Sequence, residues 1–429
     1  MDVLNNEAKK MFEAIRLNEQ EEAFVHFEQS LKQSKEEQDV NGLAEFGQAL
    51  HLAGFLDQAK DVYDLLKEIA PGLTEWDLFL AEIAIDQNRI EDGLDILLQI
   101  DQTSDLYPNA LLMMADAYQT MGLYEVSEYK IKEAMKILPD EVVLTYALAQ
   151  LYHSNGKYKE AISLYEDLVE KDTVDMWQEN LFILLADCHN VIGNFEEGIE
   201  YLEQLYDDQH TSDSLFQLGF AYLQVKQYNR SIKILEQLLE KDPDYNTAYY
   251  YLAVSLEEDH QHQEALEMVK RAIAVNAFQA DYYLLEAKLN LKLDNKVEAE
   301  AALDRALGLE PDLMEAQLLK LDLLIGQDAF EEVVNVIEAE DDANKQNPQF
   351  QWRLAKAYNE LEDYDKAGLA FEQAYLTLAD NLSFLEDYSD FLREEGNQEK
   401  LAELVAKALM LDANHPYFNE LRDHLLAGE

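Results

Sequence analysis

The chain has 429 residues, 48% of them hydrophobic, and 88 acidic against 33 basic side chains give it a formal net charge of −55. Such a polyanion repels the phosphates of nucleic acids and the anionic surface of membranes, so we expect no nucleic-acid partner and no membrane partner. It attracts basic proteins and peptides, although the alternative that the charge serves solubility alone stays open.

The first residues and the cysteine content favour a reducing compartment. Cys188 is the single cysteine, so no internal disulfide can form. The segment Met1–Glu7 has neither the basic nor the apolar part of a secretion signal. The longest uncharged run, Val142–Gly156, has 15 residues and contains polar side chains, fewer than the ~20 apolar residues that cross a bilayer. We therefore expect a soluble, cytoplasmic protein.

A small residue recurs along the chain at a spacing of 34 residues, interrupted once by 37 and once by 33. This column is Ala59, Gly93, Ser127, Ala161, Gly198, Ser231, Ala265, Ala299, Val333, Ala367 and Leu401. A second, mostly small column runs twelve residues earlier: Gly47, Ala81, Ala115, Ala149, Ala186, Gly219, Ala253, Ala287, Leu321, Ala355 and Ser389. Two small columns let two helices approach closely, and apolar residues flank them at spacings of three and four. The pattern predicts tandem helix pairs.

Prolines and glycines divide the chain where this register requires a break. Pro71, Pro139 and Pro243 fall where a unit ends, and proline cannot continue a helix. Gly54 and Gly122 fall between the two helices of their units, where a tight turn can need a positive φ. The positions of the prolines and glycines therefore support one helix–turn–helix unit for about every 34 residues.

Two segments carry a family pattern. Leu218–Tyr222 reads LGFAY, and Tyr364–Ala367 reads YDKA with Phe371 after it, which are the Leu-Gly, Tyr, Ala and aromatic positions of a tetratricopeptide repeat. The chain resembles bacterial cytoplasmic tetratricopeptide-repeat proteins made of repeats alone. The resemblance implies an all-α, right-handed solenoid of about eleven to twelve repeats, with a concave groove lined by the first helix of each pair. It says little about function because such repeats scaffold many unrelated partners.

In chain order, the pattern divides the protein into three parts. Residues 1–39 are interpreted as a degenerate helical repeat, and residues 40–413 as eleven tandem repeats. Residues 414–429 are interpreted as a capping helix, whose Phe418 and Leu421 cover the last repeat while its polar residues face water. A cap is needed because stacked repeats bury their apolar faces only against neighbours.

Two stretches depart from the regular repeat. The spacing of 37 inserts three residues near 171–178, where we expect a kink and faster hydrogen exchange than at other junctions. Glu286 and Asn290 stand where other repeats have apolar residues, and Lys320 breaks the pattern of the next repeat. Residues 280–345 are therefore expected to be irregular.

The sequence contains no motif of phosphate-binding loops, zinc proteases, serine hydrolases or EF-hands. Cys188 and His189 are adjacent and point about 100° apart on a helix, so a core role for His189 is favoured over a nucleophile–base pair. His260 and His262 could touch a metal, and the acidic run Glu338–Asp342 a calcium ion, but neither has a full ligand set. We expect no catalytic residue, no metal site and no cofactor.

Seven residues are the candidate partner-binding site: Asn180, Asp187, Asn190, Phe216, Phe220, Tyr250 and Val254. Phe216 and Phe220 share one helix face, and Tyr250 and Val254 occupy the same positions one repeat later, so stacking should place the pairs side by side. Other residues already fill the core positions of these repeats, so the two pairs should face the groove. The three polar residues would supply a hydrogen-bonding margin, as at protein-binding sites. The alternative is that the aromatic residues only pack on one another.

These observations favour a non-catalytic scaffold or adaptor that binds a partner protein or an extended peptide, preferably basic, in the groove. A regulatory peptide sensor and an assembly protein that self-associates through its ends are the alternatives, and an enzyme is least favoured. Lys288, Lys292 and Lys356 are too scattered to form the basic clamp that holds a C-terminal carboxylate in peptide-binding members of the family. A chaperone tail ending in acidic residues is therefore not the expected ligand.

Overall fold

The computed structural model describes residues 4–427, and no β-strand occurs among them. Residues 1–3 of the expected first repeat and residues 428–429 of the expected cap lie outside this range, as does the side chain of Asp342 in the acidic run. Helices follow one another in antiparallel pairs joined by short turns, and the predicted all-α solenoid fold is confirmed. No helix in the described range combines the length and the apolarity that crossing a bilayer requires.

The chain divides into two compact units, unit 1 (Met1–His210) and unit 2 (Thr211–Glu429). In unit 1, successive helices form six pairs within the described residues. They are α1 (Asn6–Arg16), α2 (Gln20–Glu37), α3 (Val40–Leu52), α4 (Leu56–Ile69), α5 (Glu75–Asp86), α6 (Ile90–Leu97), α7 (Tyr107–Thr120), α8 (Tyr124–Ile137), α9 (Val142–Ser154), α10 (Tyr158–Glu170), α11 (Leu181–Val191) and α12 (Phe195–Leu202), with a 3-10 helix at Val174–Met176.

Unit 2 adds six pairs, a one-turn helix and a single last helix over its described part. Its helices are α13 (Ser212–Gln224), α14 (Tyr228–Lys241), α15 (Asn246–Glu258), α16 (His262–Val275), α17 (Ala280–Lys292), α18 (Lys296–Leu309), α19 (Met314–Ile325), α20 (Phe330–Ala339), α21 (Asp342–Lys345), α22 (Pro348–Glu360), α23 (Tyr364–Leu378), α24 (Leu382–Glu394), α25 (Gln398–Leu411) and α26 (Pro416–Ala427). The one-turn helix is α21, and α26 covers the last pair through buried Phe418 and Leu421.

The two columns of small residues lie where paired helices cross. Every residue of both columns is buried, including the non-small members Val333 and Leu401. At Gly219 a Cβ would come within 2.8 Å of Leu235 on the partner helix α14, and at Gly93 within 2.9 Å of the Ala81 carbonyl oxygen. The 34-residue register therefore reflects close helix approach, as the sequence predicts.

The turn inside each pair places one residue in the left-handed region. Gly54, with φ +80°, occupies this position in one pair, while Asn88 (φ +61°) and His260 (φ +63°) occupy it in others. Side chains with a Cβ adopt this region at a cost, and asparagine tolerates it best. His260 is thus an exposed turn residue.

The inserted residues near 171–178 fold back on unit 1. Thr173 is buried, and its hydroxyl donates a hydrogen bond to the Leu168 carbonyl oxygen at 2.7 Å. The ring of Trp177 stacks on Tyr146 of α9 with centroids 4.1 Å apart. The insertion is thus anchored by an aromatic contact and by hydrogen bonds, since the Thr173 backbone amide also donates to the Leu168 carbonyl oxygen at 3.3 Å.

Residues 280–345 keep the paired arrangement. Asn290 is 1% exposed, and its amide donates to the Glu286 carbonyl oxygen at 3.0 Å, so a buried polar group is satisfied within its own helix. Lys320 forms an ion pair with Asp304. The local addition here is the one-turn helix α21, whose N-cap Asp341 accepts from the Asn344 amide at 2.8 Å.

Candidate functional site

Three of the four apolar candidate residues, Phe216, Phe220 and Tyr250, belong to a group of aromatic side chains in unit 2. We call this group the aromatic cluster: Phe216, Phe220, Tyr245, Tyr250, Tyr251 and Tyr282. All six side chains are half-buried. They come from α13, from the start of α15 and its first two turns, and from α17, which are the first helices of three successive pairs.

Tyr251 connects the two residue pairs that the sequence indicates, Phe216 with Phe220 and Tyr250 with Val254. Its ring lies 5.2 Å from Phe220 and 5.4 Å from Phe216, both in edge-to-face geometry, and 5.4 Å from Tyr250. Tyr250 in turn stacks on Tyr282 of the next pair at 4.8 Å. Phe216 and Phe220 are therefore linked to Tyr250 through the ring of Tyr251.

The aromatic cluster lies on top of a closed core. Leu218, Tyr222 and Leu252 are at most 4% exposed, so the core positions of these helices are filled as expected. Phe216 and Val254 pack against the core cluster on one side and keep part of their surface exposed. The cluster thus combines contact with the core and an accessible apolar surface.

The phenol groups of Tyr245 and Tyr250 stay neutral at physiological pH. Burial raises the pKa of Tyr250 to about 12, with a further contribution from the Asp281 carboxylate. Burial also raises the pKa of Tyr245 to about 12, and its hydroxyl donates to Asp213 at 3.0 Å. Neutral phenols can donate hydrogen bonds to a partner without adding charge.

The three polar candidates lie in unit 1, on α11 and at its N-cap. Asn180 is that N-cap, and its side-chain oxygen accepts from the Phe182 amide at 2.9 Å. Asp187 accepts a hydrogen bond from His153 Nε2 on α9 at 2.8 Å. Asn190 packs against Gly198, where a Cβ would lie 2.3 Å from its Oδ1, and both of its amide atoms are buried without a hydrogen-bond partner in the described range.

The pair His153–Asp187 was not expected from the sequence. The pKa of His153 is raised to about 10, first by its hydrogen bond with Asp187 and then by that with the Cys188 side chain, while burial opposes the shift. The imidazole is therefore protonated at neutral pH, and it joins two successive first helices by an ion pair. The spacing of 34 residues between the two positions is the signal that could have shown it.

The remaining candidates from the sequence have structural environments. His189 is 7% exposed, and its ring lies 5.6 Å from that of Tyr201, so its predicted core position is confirmed. Cys188 is fully buried. Glu338 of the acidic run accepts from the Tyr358 hydroxyl at 2.7 Å. Among described residues, no three His, Cys, Asp or Glu side chains come together as metal ligands do.

Comparison with known proteins places the chain among repeat proteins. Family profiles match residues 119–173 (YpiA-like, tetratricopeptide repeats), 348–414 (YpiA-like, C-terminal tetratricopeptide repeats) and 222–289 (tetratricopeptide repeat). The chain is 32% identical over 420 residues to the TPR repeat-containing protein YpiA of Bacillus subtilis, covering 98% of this chain and 97% of that protein.

Solved structures show lower similarity. The C-terminal part of a TPR repeat-containing protein from Cytophaga hutchinsonii is 20% identical, with 55% of this chain and 96% of that chain covered and a TM-score of 0.46. YrrB, described as a TPR protein with an unusual peptide-binding site, is 18% identical, with 43% and 95% covered and a TM-score of 0.39.

Proposed function

Because the chain belongs to the YpiA-like family of tetratricopeptide-repeat proteins, we propose that it is a non-catalytic scaffold that binds a partner protein or an extended peptide. The observation that carries the proposal is the aromatic cluster of unit 2, whose six rings are only half-buried although the core beneath them is filled. Partly exposed aromatic residues above a rigid core are typical anchors for a partner.

Charge supports a basic partner. The net charge of −55 accelerates the approach of positively charged proteins, and the acceleration falls as salt screens it. Asn180, Asp187 and Asn190 stay candidate contacts on unit 1. The Asp187 side chain is 36% exposed and is the one best able to accept a hydrogen bond from a partner.

The test is a comparison of two double variants in the full chain. A partner captured from a lysate of the source cells is purified, and its Kd is measured for wild type and for Phe220→Ala with Tyr250→Ala. We expect a loss of about 2 kcal/mol, roughly thirtyfold in Kd, because two anchor rings are removed. The control, Phe278→Ala with Leu376→Ala, removes two apolar side chains that are 83% and 84% exposed outside the cluster, and should change Kd less than about twofold.

The melting temperature separates binding from stability. Phe220 and Tyr250 are only half-buried, so the variant that lacks both rings should melt within a few degrees of wild type. Unchanged Kd together with a collapsed melting temperature would show that the cluster is core. Capture of a short peptide would favour the sensor hypothesis, and capture of only a second copy would favour self-association.

A further inference from the structure

A cavity of about 480 Å³ opens between α22 and α24, the first helices of two successive pairs in unit 2. Its apolar wall includes Phe330, Phe371 and Phe391, and the rings of the last two have centroids 5.1 Å apart. It shares no residue with the aromatic cluster. The volume is within the range of sites that hold a small molecule or a single large side chain.

The polar wall of this cavity is acidic. Five carboxylates and two basic side chains line it, so its formal charge is −3. Both cations are already neutralised: Lys356 Nζ lies 2.9 Å from Asp387, and Arg393 lies 2.8 Å from Asp390. The other three carboxylates are exposed and form no ion pair with any described residue; they are Asp328, Glu360 and Glu394.

An unpartnered acceptor lies in the same wall. The Oδ1 atom of Asn359 is buried and accepts no hydrogen bond from the described part of the chain. A buried acceptor without a donor costs about 1–3 kcal/mol. Asn359 lines the cavity, and a rotation of its side chain that exposes Oδ1 to a ligand N–H group would remove this cost.

We propose that this cavity receives the guanidinium group of an arginine side chain of the partner protein; the inference rests on the proposed function and specifies the partner's chemistry. A guanidinium carries five N–H donors in one plane, which suits separate exposed acceptors such as Asp328, Glu360 and Glu394. Its flat face also stacks on aromatic rings. The lysine ammonium is a compact, strongly hydrated charge and offers neither property.

The test uses fluorescein-labelled hexa-arginine and hexa-lysine peptides, titrated with the full chain by fluorescence anisotropy at about 150 mM salt, where long-range attraction is screened. Glu360→Gln with Glu394→Gln removes two charges from the cavity. Glu267→Gln with Glu403→Gln removes two exposed charges from the second helices α16 and α25 and serves as the control. Circular dichroism melts verify that both variants are folded.

We expect wild type to bind hexa-arginine at least about threefold more tightly than hexa-lysine. The affinity for hexa-arginine should fall about fivefold or more in the cavity variant and less than about twofold in the control. Equal losses in the two variants, equal affinity for the two peptides, or no binding of hexa-arginine would each overturn the arginine site. These outcomes are distinguishable from failure of the proposed function, which is measured with the captured partner and the aromatic-cluster variant.

Discussion

The crossing of α13 and α14 gives a direct test of the small-residue register. A Cβ at Gly219 would lie 2.8 Å from both Cγ and Cδ2 of Leu235, which is fully buried. The crossing is also fixed by the Ser231 hydroxyl, which donates to the Gly219 carbonyl oxygen at 2.7 Å. Gly219→Ala must therefore displace a packed leucine. Gly368 in α23 is the matched control, because a Cβ there would meet Phe391 at an ordinary 3.6 Å.

The two substitutions should have opposite signs. Alanine in place of glycine inside a helix stabilises by about 0.5–1 kcal/mol, and Gly368→Ala should show this gain. At Gly219 the same gain is opposed by overpacking that costs about 1–3 kcal/mol, so a net loss of about 1–2 kcal/mol is expected. Urea unfolding of the full chain, followed by helical circular dichroism, measures both. If Gly219→Ala also raises the urea midpoint, the crossing is not as close as described.

Two further changes test contacts between successive pairs of unit 1. Replacing His153 by Gln removes the ion pair with Asp187. The pKa of His153 is raised from 6.5 to about 10 in the folded protein, so the variant should lose the most unfolding free energy below pH 6.5 and progressively less as the pH rises through about 10. An equal loss at pH 6 and pH 10 in urea unfolding would contradict this. Trp177→Ala removes the ring stacked on Tyr146, so amide exchange in residues 171–178 should accelerate, and unchanged rates would show that other contacts hold the insertion.

The helix pairs could be predicted because the repeat is a direct consequence of geometry. Two helices approach closely where the side chains at their crossing are small, and most helix pairs of the chain meet this requirement. Even Val333 and Leu401, which look like exceptions in the sequence, are buried at the same positions. The division of the chain at Thr211 could not be predicted, since the small-residue spacing continues from Gly198 to Ser231 with a change of one residue.

The candidate site was harder to predict because side-chain partners come from neighbouring repeats. The two apolar pairs that the sequence indicates include Phe220 and Tyr250 but not Tyr251, which follows Tyr250 in the chain and contacts both rings. The sequence predicts polar candidates that offer hydrogen bonds to a partner, yet Asp187 already binds His153 and Asn180 caps its own helix. The spacing of 34 residues indicates that His153 and Asp187 occupy neighbouring positions in successive pairs, but which side chains then bond depends on the stacking geometry.

Glu286 tests whether a departure from the repeat pattern costs stability. It occupies the position that holds Leu218 and Leu252 in the preceding pairs, and burial raises the pKa of its carboxyl group, while Lys270 and Arg305 lower it. Because the folded pKa lies above the unfolded one, the charged carboxylate destabilises the fold at neutral pH, and the penalty shrinks as the pH falls toward the folded pKa.

Glu286→Gln should therefore stabilise unit 2 at pH 7.5, and the gain should decrease as the pH is lowered toward 5, above the isoelectric point of about 4.2. Glu286→Leu should show the same decrease in its gain between the two pH values but exceed Glu286→Gln by about 1 kcal/mol at both, because a half-buried leucine removes apolar surface from water. Urea midpoints of wild type and both variants at pH 7.5 and pH 5 provide the measurement. If Glu286→Gln destabilises the protein at pH 7.5, then the attraction of Lys270 and Arg305 for the Glu286 carboxylate outweighs the cost of burying it. The glutamate at this position would then stabilise the fold.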